Sequence, residues 1–104
     1  MASASTPCKV FVLSNIHHTR FFIGVSRDLR RRFSAGSALV SGSALPGARL
    51  EKLVYMADFH YVHLARRHER ELTGLSTSAL KQTIRNSNPG WRNLVFELLV
   101  EQDL

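Results

Sequence analysis

A chain of 104 residues can build one compact domain and is too short for two of ordinary size. It is 44% apolar with a single cysteine, Cys8, which excludes an intrachain disulfide scaffold, and no apolar run approaches the ~20 residues of a bilayer-spanning helix. Lysine and arginine outnumber aspartate and glutamate by 14 to 8, a net charge of +6, which points away from cationic partners and toward a polyanion.

Lysine stands only at positions 9, 52 and 81, so the other eleven cations are arginines. Arginine presents a planar fork of donors matched to phosphate oxygens, whereas lysine is a point charge. The composition therefore suggests nucleic acid, against the plainer reading of a soluble domain with a solvated basic face. The opening "MASASTP" has neither the cationic start nor the apolar centre of a secretory leader, so a cytoplasmic, non-membrane protein is expected. Residues 1–7 read as a flexible N-terminus ahead of a domain over 8–104.

In chain order, "KVFVLSN" and "RFFIGVS" are rich in β-branched and aromatic residues and flank "IHHT", which predicts a hairpin with Asn15 in its turn. "SRDLRRRF" predicts a helix with Ser26 as N-cap and Asp28 near the positive end of the helix dipole. On that helix Leu29, Arg32 and Phe33 share one face, so Arg32 leans toward the sheet while Arg30 and Arg31 point to solvent. "SAGSALVSGSALPGAR" is small, Ser/Gly-rich and nearly uncharged, and reads as a long loop.

"EKLVYMADF" predicts a third strand. From Tyr61 to Leu72 the period turns helical, with Tyr61, Leu64, Ala65, His68 and Leu72 as its apolar stripe and Gly74 as its stop. "STSALKQTIRNS" predicts another helix. "NPGW" is a turn into a last amphipathic helix whose inner face holds Trp91, Leu94, Val95, Leu98 and Leu99. Three strands followed mainly by helices give an α+β fold: a small three-stranded antiparallel sheet flanked by helices.

Glu69 is the acid that needs an explanation. It follows Ala65 by one turn and precedes Leu72 by three residues, so it borders the buried face. A carboxylate there requires a metal or a cationic partner, and spacing favours a salt bridge to Arg66, His68 or Arg32. The five histidines do not fall in a zinc-ligand pattern.

Taken in order, "VFVLSN", "FFIGVSRDLRRRF", "KLVY" and "RHERELTGLSTSALKQTIRNSNPGWRNL" resemble the GIY-YIG endonuclease superfamily. The resemblance is to its small single-domain bacterial branch, similar to the nuclease domain of the excision-repair nuclease subunit. It covers nearly the whole chain after Pro7, with "IGVSRDLRRR" and "NPGWRNL" as its most specific pieces. It implies a three-stranded antiparallel sheet with flanking helices, DNA as partner, a role in DNA repair, and hydrolysis of the phosphodiester backbone with one Mg²⁺ or Mn²⁺.

Carried over by position, the phosphate-binding arginine of that resemblance is Arg32 and the metal-holding catalytic glutamate is Glu69. The two motif tyrosines fall on Phe11 and Phe22, and the neighbouring His or Tyr falls on Gly36. The basic residues around these positions, Arg27, Arg30, Arg31, Lys81 and Arg85, are the expected nucleic-acid contacts. Phenylalanine can neither orient water nor move a proton. The resemblance therefore leaves two expectations: a metal-dependent endonuclease of weakened or altered mechanism, or a module on the same fold that binds nucleic acid or protein without cutting. His17, His18 and Tyr55 are the groups that would have to stand in.

Overall fold

The computed structural model describes residues 7–34 and 52–101, without the side chains of 32–34 and 101. Strands β1 (Cys8–Ser14), β2 (Phe21–Ser26) and β3 (Lys52–Phe59) form one antiparallel sheet in the order β2-β1-β3. Helices α1 (Leu29–Ser34), α2 (Val62–Thr73), α3 (Thr77–Ser87) and α4 (Val95–Glu101) are the ones among the described residues. The fold is α+β, as the order of the elements implies. None of these helices is long and apolar enough to cross a membrane.

β1 is central and covered on both faces, which explains why "CKVFVLS" reads as an almost continuous apolar run rather than an alternating one. Cys8, Val10 and Val12 point to one face, where Ala65 and Leu72 of α2 and Leu80 and Ile84 of α3 close the core. Phe11 and Leu13 point to the other, against Leu29 of α1, Leu53 of β3 and Leu98 of α4. Val12 faces Tyr55 and Leu13 faces Leu53, so β3 carries one extra residue, Val54. That bulge turns both Val54 and Tyr55 toward the α2 face.

The hairpin forms where expected, with Asn15 as its clasp: Oδ1 accepts from the backbone N–H groups of Thr19 and Arg20, each at 2.9 Å. The cap of α1 differs from the sequence expectation. Ser26 still belongs to β2, and its Oγ accepts from Asp28 N at 3.1 Å; Asp28 is the residue that caps, with Oδ1 accepting from Arg31 N at 3.3 Å. A carboxylate at the N-cap satisfies a free amide and opposes the dipole at once, so it takes the position from a serine two residues earlier.

The apolar stripe of α2 is narrower than its spacing suggests. Tyr61 and Leu64 are exposed, because the helix starts only at Val62 and its buried line runs through Ala65 and Leu72. Trp91 is not on the inner face of α4 but ahead of it, packed with Phe21 against the α2–α3 core. The reason is Asn88, which is buried and accepts from Arg92 N while donating to Arg92 O and to Val54 O. These bonds close residues 88–92 into a tight turn that swings the indole toward the opposite face of the sheet.

Candidate functional site

The aromatic pair at the motif positions comes together as a packed unit. Phe11 on β1 and Phe22 on β2 lie with ring centroids 6.1 Å apart and planes tilted by 44°. Phe11 is only 1% exposed. Gly24, its partner across the ladder, is what lets the rings settle: a Cβ there would stand 2.8 Å from Phe11 Cζ and 3.1 Å from Phe22 Cε2. Gly24→Ala must therefore displace a fully buried ring. It should destabilise the protein by about 2 kcal/mol, within the range for overpacked cores, measurable as a lower urea midpoint at unchanged slope.

Glu69 lies on α2, which covers the face opposite to the Phe11–Phe22 pair. Its side chain is 23% exposed, and Oε1 accepts from Arg66 Nη1 at 3.2 Å, one of the partners its spacing offers. His68, the next residue back, takes a different course. Its Nε2 is 2.9 Å from the Tyr55 hydroxyl, its Nδ1 is 3.5 Å from Glu71 Oε1, and Phe59 lies against its ring. Burial pushes the Tyr55 phenol above its usual range, so this hydroxyl is not poised to ionise. Arg32 lies in α1, on the Phe11 side of the sheet, with its side chain outside the described residues; Gly36 lies outside them altogether.

The expected nucleic-acid contacts fall in two groups. Arg27, Arg30 and Arg31 sit at the start of α1. Arg27 and Arg30, with Lys9, Asp58 and His60, line a surface pocket of about 340 Å³. Arg30 is also structural, because its Nε donates to Leu99 O at 3.2 Å and ties α1 to α4. Lys81 and Arg85 are on α3, across the sheet, and Arg85 Nη1 donates to Gln82 Oε1 at 3.2 Å. No single basic face joins all five.

A second aromatic cluster has no counterpart in the sequence expectations. His18 of the hairpin stacks on Trp91 with centroids 4.2 Å apart, and Lys52 Nζ is 3.1 Å from His18 Nε2. Burial, then the charges of Lys52, Lys81 and His17, hold His18 below its usual range and keep the imidazole neutral near pH 7. Only the aromatic and histidine content of "IHHT" and "NPGW" hinted at it; nothing in their spacing says that they meet.

No protein-family model matches the sequence, and no curated protein matches it. Among solved structures, the solution NMR structure of a UPF0213 protein from Bacillus halodurans is similar, with a TM-score of 0.56 over 84% of this chain and 92% of that chain. The fold is GIY-YIG-like. At 21% identity the likeness is one of architecture. Phe11 and Phe22 thus lie on β1 and β2, and Glu69 lies on the helix that follows β3. Among the described residues no three His, Cys, Asp or Glu side chains converge on a metal position.

Proposed function

We propose that this protein acts on the nucleic-acid backbone as a GIY-YIG-type endonuclease, with DNA as substrate, Glu69 as the metal-holding carboxylate and Arg32 as the phosphate ligand. The observation that carries the reading is the placement of Glu69 on α2. Successive helix positions turn by 100°, so His68 and Glu69 fall on opposite flanks of the buried Ala65–Leu72 line. His68 takes the β3 flank, against Tyr55 and Phe59. Glu69 is left on the β2 flank, beside the strand that carries Phe22 and Gly24. The Phe11 ring reaches over Gly24 toward the same free edge from the other face. The acid and the aromatic pair thus approach the β2 edge from its two sides.

The donor set suits a hard divalent cation. Mg²⁺ binds commonly through one or two carboxylates and completes its shell with water and substrate phosphate, which one partly exposed Glu69 satisfies once Arg66 swings aside. Bound there, the ion would neutralise charge on the phosphate and make its water a stronger acid. The protein's own part is to hold the phosphate, with Arg32 and the arginines of α1, against the sheet edge.

A second reading, binding without cleavage, draws on Phe11. Its buried ring serves the core, and neither it nor Phe22 supplies a hydroxyl. Tyr55 does not replace them, because its hydroxyl is engaged with His68 on the far flank. Cleavage assays on plasmid, branched and single-stranded DNA, with Mg²⁺ or Mn²⁺ and with EDTA, separate the readings. Slow, EDTA-sensitive cleavage supports the endonuclease. Binding that weakens steeply with salt, with no product at any metal concentration, supports the module.

A further inference from the structure

Two non-glycine residues among those described adopt left-handed backbone, His18 at φ 59° and Trp91 at φ 52°, and these two are stacked on each other. For a bulky indole this conformation is a true outlier. Each is held in place by a neighbouring asparagine. Asn15 clasps the hairpin and its carbonyl accepts from His18 N at 3.1 Å; Asn88 closes the 88–92 turn and its carbonyl accepts from Trp91 N at 2.9 Å. Strain that two independent turns maintain, and that brings two aromatic rings to one spot, marks a place where the rings do more than fill space.

The surroundings specify what such a place would take. Trp91 packs with Phe21 against the core and stacks on His18, and both stacked rings keep part of their surface open to solvent. Lys52 donates to Nε2, which fixes the neutral tautomer with its proton on Nδ1 and leaves an uncharged, stackable ring. Lys52 and Lys81 are both near enough to act electrostatically on that ring. All four residues are partly exposed. A flat neutral ring bordered by ammonium groups is the arrangement that holds a base by stacking and its phosphate by charge.

We propose that the His18–Trp91 stack, with Lys52 and Lys81, seats an unpaired nucleotide, its base on the imidazole and its phosphate at the lysines. In an intact duplex the base faces are already stacked, so duplex DNA reaches the lysines only. The site deepens the function proposed above by naming the form of nucleic acid, and it rests on that reading for the class of partner but not for cleavage.

Trp91 is the chain's single tryptophan, so its fluorescence reports on this site alone. Titration with a thymidine pentanucleotide should change the emission saturably, while inorganic phosphate and a blunt duplex at the same nucleotide concentration should not. His18→Asn keeps a residue suited to left-handed backbone and removes the ring. It should weaken pentanucleotide binding about tenfold, the order expected for one lost base stack, and leave duplex binding unchanged. His18→Tyr restores a π face on a less favoured left-handed backbone, and should recover most of the pentanucleotide binding that His18→Asn loses.

An equal response to phosphate or to duplex would overturn the proposal, as would equal losses in His18→Asn and His18→Tyr. Duplex binding with no pentanucleotide response sinks this site and spares the broader reading. Failure to bind either form at low salt removes both.

Discussion

Asn88→Ala is expected to lower the stability of the protein by about 3 kcal/mol, because one buried and two partly buried backbone groups lose their partners together. The Asn88 side chain donates to Val54 O at 3.1 Å and to Arg92 O at 2.9 Å, and accepts from Arg92 N at 3.1 Å. The residue is 2% exposed and its bond to Val54 O is buried, so water does not replace that bond. It also matters beyond its own strength. β3 pairs with β1 on one side only, and its other edge is covered by the segment that Asn88 begins. Leu94 N donates to Leu53 O, and Asn93 Oδ1 accepts from Leu53 N. This chain segment covers an edge that would otherwise present open pairing groups.

For a domain of this size, 3 kcal/mol corresponds to a fall in melting temperature on the order of 15 °C. Asn93→Ala is the control. Asn93 is exposed, and its Oδ1 also accepts from Val95 N at the start of α4, so its loss should cost about 1 kcal/mol, a typical N-cap value. Equal effects of the two substitutions in urea unfolding would show that burial at Asn88 does not govern the edge.

These asparagines also mark where reading the sequence stops. The three strands, the hairpin at Asn15 and the helices after β3 follow from local composition, because β-branched runs and helical spacing are written residue by residue. Asp28 displacing Ser26 as the cap of α1 is a local competition between two good candidates, decided by where β2 ends. The position of Trp91 is different in kind. Its spacing from Leu94, Leu98 and Leu99 suits the inner face of a helix, and only the buried bonds of Asn88 to a strand 34 residues away turn it to the other side. The extra residue at Val54 is equally silent in the sequence, since it shows only as a shift in pairing against β1.

The candidate site divides along the same line. Phe11 and Phe22 are singled out in the sequence by the order of the segments that carry the resemblance. That Gly24 must lack a side chain is visible only once both rings are seen to occupy the space a Cβ would need. Glu69 stands out in the sequence as an acid at the border of a buried stripe, and Arg66 is among the partners its spacing allows. The separation of Arg27, Arg30 and Arg31 from Lys81 and Arg85 by the sheet is not local at all. Net charge carries no information about which face a cation occupies.

In the endonuclease reading, Glu69→Gln should abolish metal-dependent cleavage while leaving the fold almost untouched. An amide of nearly the same shape is a poor ligand for Mg²⁺, and losing several kcal/mol of metal-derived charge stabilisation corresponds to a rate loss of about 10² or more. The structural cost is small. The pair with Arg66 is a helical i,i+3 contact whose cation is more than half exposed, worth about 0.3–0.5 kcal/mol. A large fall in melting temperature would instead make Glu69 a structural residue and count against the assignment.

The tyrosine positions supply the complementary test, and they are not equivalent. Phe22 is partly exposed on the edge strand, so Phe22→Tyr can place a hydroxyl at the β2 edge without disturbing the core. Phe11→Tyr would extend the ring from Cζ, the atom already closest to Gly24, inside a site that is 1% exposed. It should destabilise the protein by about 1–3 kcal/mol before it contributes anything to catalysis. Phe22→Tyr is therefore the informative gain-of-function substitution. If the missing hydroxyl is what limits the rate, it should raise cleavage by about 10² in Mg²⁺, the low end of a restored acid–base contribution, and the gain should vanish when Glu69→Gln is added. A gain that survives Glu69→Gln would place the reacting phosphate away from α2 and refute the metal assignment.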